Sequence, residues 1–170
     1  MFDYYVSYAN SILRGQLLVR VFVVYDSKYG NTKLAAENIL DGIREVEAAE
    51  ATIGYVKEVN VEKVADYDVI VLGGPNHMGR PSRTIKKFVD KLAELNLKAK
   101  YIAVFGTYAG RVRTDDRAVK KMERILAKKL PSLNLICPSL SVRVNGVTGP
   151  VVEGELPKCL AFGKKITTQF

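Results

Sequence analysis

The sequence predicts a three-layer α/β domain: a doubly wound, five-stranded parallel sheet with helices on both faces. Two observations point there directly. From Leu17 onward, short apolar runs alternate with segments of helical spacing. The run DVIVLGG is apolar almost throughout, as a strand covered on both faces must be. A third observation concerns size, since no repeat, linker or low-complexity stretch divides the 170 residues, and one core is the expected outcome.

The elements follow in order. LLVRVFVVYD is rich in β-branched residues and reads as the first strand. SKYGNT follows as a loop, and KLAAENILDGIREV sets Leu34, Ala35, Ile39, Ile43 and Val46 near helical spacing as the inward stripe. ATIGYVKEV is a second strand and VEKVADYD a short helical connection. DVIVLGG is the third strand and turns at GGPNHMGRPS. In PSRTIKKFVDKLAELNL, Pro81 is expected in the first helical turn, with Ile85, Phe88, Val89 and Leu92 inward. YIAVFGTYAG supplies the fourth strand and a loop. DDRAVKKMERILAKKL is a helix opened by Asp115 and Asp116, whose charges suit a helix N-terminus. NLICPSLSVRV is the last strand, with Pro138 implying an edge position or a bulge. GELPKCLAFGKKITTQF closes as a helix with Pro157 in its first turn. Residues 1–16, aromatic at Phe2, Tyr4, Tyr5 and Tyr8, stand outside this rhythm as a tail or one extra turn, leaving 17–170 as the domain.

Composition narrows the function. Hydrophobic residues at 48% and charged residues at 26% fit a folded globular chain and exclude a mostly disordered or collagen-like one. No apolar run approaches the roughly 18 residues that cross a bilayer, and the first residues lack a cationic leader, so a cytoplasmic location without a membrane partner is expected. Cys137 and Cys159 form no metal-ligand spacing, and with one histidine in the chain no protein-held metal is expected. The net charge is +8, yet residues 80–130 alone hold 15 Lys/Arg against 5 Asp/Glu. This regional excess reads first as two helices with solvated basic faces. Without an aromatic platform or zinc-finger spacing, nucleic acid is not the expected partner.

In an open α/β sheet, ligands bind beyond the carboxyl ends of the strands, where strand order reverses. Three loops lie at such ends. After the first strand, Ser27, Lys28, Tyr29, Gly30, Asn31 and Thr32 bring side-chain donors and a glycine turn into a helix N-terminus. That arrangement is compatible with phosphate binding and equally with an ordinary capped helix start. After the third strand, Pro75, Asn76, His77, Met78 and Gly79 offer flat and polarizable side chains. After the fourth, Gly106, Thr107, Tyr108, Ala109 and Gly110 offer a ring beside glycines. Neither of these two loops is diagnostic alone. The nearest approach to a Walker loop, Gly74 to Gly79, is followed by Arg80-Pro81 and lacks its lysine and hydroxyl.

Taken together, YDSKYGNT, GGPNHMGRPSRTIKKFVDKL and FGTYAG resemble the flavodoxin family, most closely the flavodoxin-like domain of A-type diiron flavoproteins, from about Leu18 to the C-terminal helix. The resemblance implies strand order 2-1-3-4-5 and FMN as cofactor. Ser27, Tyr29, Gly30, Asn31 and Thr32 would hold the FMN phosphate, with Lys28 adding charge. Asn76, His77, Met78 and Gly79 would border one side of the ring system. Tyr108, with Gly106, Thr107, Ala109 and Gly110, would border the other. It also implies a peptide at Met78-Gly79 able to turn toward flavin N5. Three departures stand against the family pattern: no tryptophan to stack on the flavin, nothing to supply a diiron domain, and basic rather than acidic surroundings for the flavin loops. Lysine and arginine near an anionic reduced flavin favour its full reduction, so a less negative second potential is expected, together with acidic redox partners or phosphorylated cofactors and rates that fall with salt. The implied function is an FMN-binding electron carrier without catalytic residues. The alternatives are an NAD(P)H-dependent quinone or flavin reductase, disfavoured by the lack of a long insertion, and a flavin-free scaffold or nucleic-acid binder.

Overall fold

The computed structural model describes residues 18–110 and 116–169. Its elements run β1 (Val19–Tyr25), α1 (Asn31–Arg44), β2 (Ala49–Tyr55), α2 (Val61–Val64), β3 (Val69–Pro75), α3 (Arg83–Leu92), β4 (Tyr101–Ala109), α4 (Arg117–Lys129), β5 (Asn134–Leu135), β6 (Leu140–Val144) and α5 (Glu155–Thr167). The sheet has the order β2-β1-β3-β4-β5, with β6 also pairing β4, and every ladder is parallel. Sequence order reverses between β1 and β3, so the loops following these two strands share one edge.

Strand alternation sorts the core into two layers. Phe22, Val24, Ile70, Leu72, Ile102 and Val104 pack with Ile85, Phe88, Val89, Met122 and Leu126 of α3 and α4. Val21, Val23, Val69, Val71, Ala103 and Phe105 pack on the other face with Ala35, Ile39, Cys159, Phe162 and Ile166 of α1 and α5. The α1–α5 seam is closed by two glycines. A Cβ on Gly42 would lie 2.1 Å from the Leu160 carbonyl oxygen, and one on Gly163 would lie 2.1 Å from that of Ile39. These helices meet backbone to backbone. Burial pushes the Cys159 thiol in this layer up to about 12.

Several expectations shift in detail. The inward stripe of α1 is Ala35, Ala36, Ile39, Leu40 and Ile43 with Thr32, whereas Leu34 is exposed. The buried face runs through Ala35, Ile39 and Ile43, four residues apart, and Leu34 precedes that row by one residue, which turns it toward solvent. Pro81 lies outside α3, one residue before its cap: Ser82 Oγ accepts the Ile85 N–H at 3.2 Å and the helix begins at Arg83. The last strand is split, with Cys137 at φ 54 and Pro138 between the halves. Pro138 lacks the N–H that a continuous ladder would use. Asp116 stands at the N-cap position of α4 without a side-chain cap bond and pairs with Lys120 one turn on. The tail at 1–16 and Asp115 lie outside the described residues. Among those residues, no helix is long and apolar enough to cross a membrane.

Candidate functional site

Beyond the carboxyl ends of β1, β3 and β4 lies a cleft of about 690 Å³. It is assembled from Ser27, Lys28, Tyr29, Asn31 and Thr32 after β1, Pro75 to Gly79 after β3, and Thr107 and Ala109 of β4.

At one end is the start of α1. Gly30 takes the left-handed conformation (φ 86), its N–H donating to Ser27 Oγ at 3.1 Å, and no side chain caps the helix. The first intrahelical bond runs from the Leu34 N–H to the Gly30 carbonyl, and the amides before Leu34 have no acceptor within the helix. No acidic residue occupies the first turn. Backbone donors and the helix dipole together make this end receptive to an anion. Thr32 is held deep in the cleft by a 2.7 Å hydroxyl–hydroxyl bond to Thr107, tying the start of α1 to β4.

The other end is less polar. Residues 77–80 form a tight turn closed by His77 N–H to Arg80 O (2.9 Å) and Arg80 N–H to His77 O (3.0 Å). Met78 (φ 53) and Gly79 (φ 78) both lie in the left-handed region. Such a pair of positive φ angles is that of a type I′ turn, which a non-glycine residue occupies at a cost. Asn76 steadies the turn by accepting the Gly79 N–H at 2.6 Å, while its own N–H donates to Thr107 O at 2.7 Å. The Met78 side chain is held fully in solvent at the rim.

Twelve of the sixteen residues expected at the site line this cleft. Gly30, Gly106, Tyr108 and Gly110 do not. Tyr108 is buried within β4, which runs on to Ala109 instead of ending in a loop at Gly106. With Thr107 and Ala109 facing the cleft, strand alternation turns Tyr108 to the opposite side. Sequence reasoning missed three wall residues: Arg117, at the start of α4, and Val144 and Val147, from the end of β6 and the loop after it. That loop is fastened to α1 by Asn31 Nδ2 donating to Thr148 O at 2.9 Å, with Gly149 (φ 96) pressed so closely on Asn31 that a Cβ would stand 2.3 Å from Oδ1. The missed signal was NGVTGP, a glycine-punctuated turn at the same sheet edge as the other three loops. Neither cysteine lines the cleft, and among the described residues no group of His, Cys, Asp and Glu could hold a metal.

A parallel sheet of this order with a cleft at its point of reversal defines a flavodoxin-like protein. The comparisons agree. The flavodoxin domain model matches residues 22–139, and the chain belongs to that family. A flavodoxin of Aquifex aeolicus is 38% identical over 71 residues, covering 42% of this chain and 38% of that protein. An NAD(P)H dehydrogenase (quinone) of Archaeoglobus fulgidus is 32% identical over 52% of this chain and 61% of its own length. The chain therefore matches less than two thirds of the length of either relative. Among solved structures, oxidised flavodoxin 2 of Bacillus cereus superposes with a TM-score of 0.74 at 23% identity, covering 89% of this chain and 100% of that one. A flavodiiron core from Synechocystis superposes with a TM-score of 0.71 at 17% identity over 99% of this chain but 40% of that chain. At these identities the superpositions speak to the fold.

Proposed function

We propose that this chain is an FMN-binding electron carrier of the cytoplasm, with 17–170 as its flavin domain. The observation that carries the reading is the two-ended character of the cleft. An uncapped helix start with the Ser27 and Thr32 hydroxyls lies at one end, the turn carrying Met78 lies at the other, and Ala109 with its ladder partner Val144 gives the wall an apolar surface. FMN has the matching polarity, a phosphate at one end and a broad ring system at the other, and the cleft volume is ordinary for a ligand of that size. When bound, FMN supplies the uptake and release of one or two electrons.

The residues divide the work of holding it. The first-turn amides of α1, with Ser27, Tyr29, Gly30, Asn31 and Thr32, take the phosphate, and Lys28 adds positive charge without a carboxylate in the cleft wall, while Arg117 packs beside Gly79 at the turn. His77, Met78 and Gly79 border the ring system on one side, and Thr107, Ala109 and Val147 on the other. Tyr108 is left out of this assignment by its strand position. Asn76 and Thr107 position the turn at 77–80 through the bonds described above. With no tryptophan in the chain, ring contact falls on smaller side chains. The basic rim favours acidic redox partners, whose electron-transfer rates fall as salt rises.

The test is a spectrum followed by an exchange. The FMN-reconstituted chain should show bound-flavin absorbance, accept electrons from a chemical reductant, and pass them to a one-electron acceptor. It should not oxidise NAD(P)H steadily when quinone is present. The resemblance to the Archaeoglobus protein favours one alternative, an NAD(P)H-dependent quinone reductase. Sustained NAD(P)H oxidation with quinone would establish that alternative over a pure carrier.

A further inference from the structure

A second cleft, of about 610 Å³, adjoins the first and shares Ser27, Lys28 and His77 with it. Its wall carries Lys28, Lys57, Arg80, Arg83 and Lys86, with Asp26 as its one carboxylate. The ion pairs among the described residues are Lys33–Glu37, Lys98–Asp68, Lys120–Asp116, Lys129–Asp90, Lys158–Glu155 and Lys164–Glu45, and none involves this cleft. None of the five cations of the cleft has an ion-pair partner among those residues. Asp26 is buried at the end of β1, so it offsets one charge and leaves four. Like charges gathered around a concavity repel one another and focus a positive potential into it, an arrangement that an anionic ligand relieves.

We infer that this second cleft binds the diphosphate of a nucleotide beside the flavin site. Two features select that class over a lone phosphate. Arg80 and Arg83 present planar forks suited to paired phosphate oxygens, with lysines as point charges around them. Tyr55 also lines the cleft, its ring tilted against that of Tyr25 and carrying Lys57 Nζ 5.8 Å from its centroid, an aromatic group that a base can reach when the lysine turns to the phosphates. Concavity favours a small ligand over the flat face of an acidic protein. The N-terminus of α3 is not what makes the site, because Ser82 already caps it. The cleft shares Ser27 and Lys28 beside the start of α1 and His77 at the turn after β3, so a nucleotide anchored here by its diphosphate lies alongside the first cleft. The assignment of a diphosphate does not depend on FMN in that neighbouring cleft.

Calorimetric titration of the full chain, with and without saturating FMN, tests the assignment using ADP, NAD+, NADP+ and inorganic phosphate as probes. ADP should bind in both forms, and phosphate at least tenfold more weakly. The double variant Arg83→Glu/Lys86→Glu should weaken ADP at least tenfold, roughly the loss of one or two charge-assisted contacts. Lys128→Glu, the same kind of charge change on an exposed α4 position that does not line the cleft, should change ADP binding less than twofold. Glutamate at position 83 suits the first turn of a helix, so the double variant is expected to fold. If it does not, Lys57→Gln replaces it with the same direction of effect. A dinucleotide binding more tightly than ADP identifies it as the ligand, and equal affinities identify a free nucleotide. Absence of ADP binding, equal losses in the cleft and control variants, or binding of an acidic peptide in place of ADP would each overturn the inference. FMN binding without ADP binding defeats this inference alone, and ADP binding without FMN binding defeats only the flavin reading.

Discussion

The loop after β1 and the loop after β3 end in helices, yet they reach them in opposite ways. The first passes through a left-handed glycine into α1, whose first-turn amides meet no side-chain cap. The second folds back on itself at 77–80 and then enters α3 under the Ser82 cap. One leaves its backbone donors for a ligand, while the other satisfies its own and presents side chains. The difference shows how one sheet edge can set free backbone donors beside a turn that satisfies its own.

Four substitutions separate the two loops, from the largest expected effect to the smallest. Thr32→Val removes one partner of the buried bond to Thr107 and should destabilise the chain by about 1–3 kcal/mol in urea unfolding. It should also weaken FMN, and unchanged FMN affinity would separate Thr32 from the anion end. Gly30→Ala has open space around its new methyl group, so only the left-handed backbone opposes it. A loss of about 1–2 kcal/mol is expected, with weaker FMN binding. Ser82→Ala should cost about 1 kcal/mol through the lost cap and leave FMN affinity within twofold. Met78→Gly relieves the φ of 53 in an exposed turn and should raise stability by up to about 1 kcal/mol in the FMN-free chain. If Ser82→Ala weakened FMN as much as Gly30→Ala does, the contrast between the loops would be wrong.

Much of this was legible before any coordinates. The parallel sheet followed from apolar runs such as DVIVLGG, since a strand buried on both faces leaves no other composition. The loops after β1 and β3 meet the end of β4 because strand order brings them to one edge. What was not legible came from geometry within elements. Tyr108 reads as a loop residue until β4 is seen to run on to Ala109, after which alternation decides its side. Val144 and Val147 enter the site only because Asn31 and Gly149 fasten the final loop to α1. No short-range pattern records that contact between residues more than a hundred positions apart. Three of the five cations of the second cleft, Arg80, Arg83 and Lys86, were visible as part of the charge excess at 80–130, but Lys28 and Lys57 join them only through the fold.

The central claim, that the start of α1 holds a phosphate while the rim near His77 holds a ring system, is tested most directly by comparing FMN with riboflavin. The two differ only in the phosphate. Fluorescence titration of the FMN-free chain should give quenching by both and an affinity for FMN at least a hundredfold higher, the advantage shrinking with salt and in Gly30→Ala. Equal affinities would contradict the phosphate site, and absence of quenching by either would contradict the flavin cleft itself.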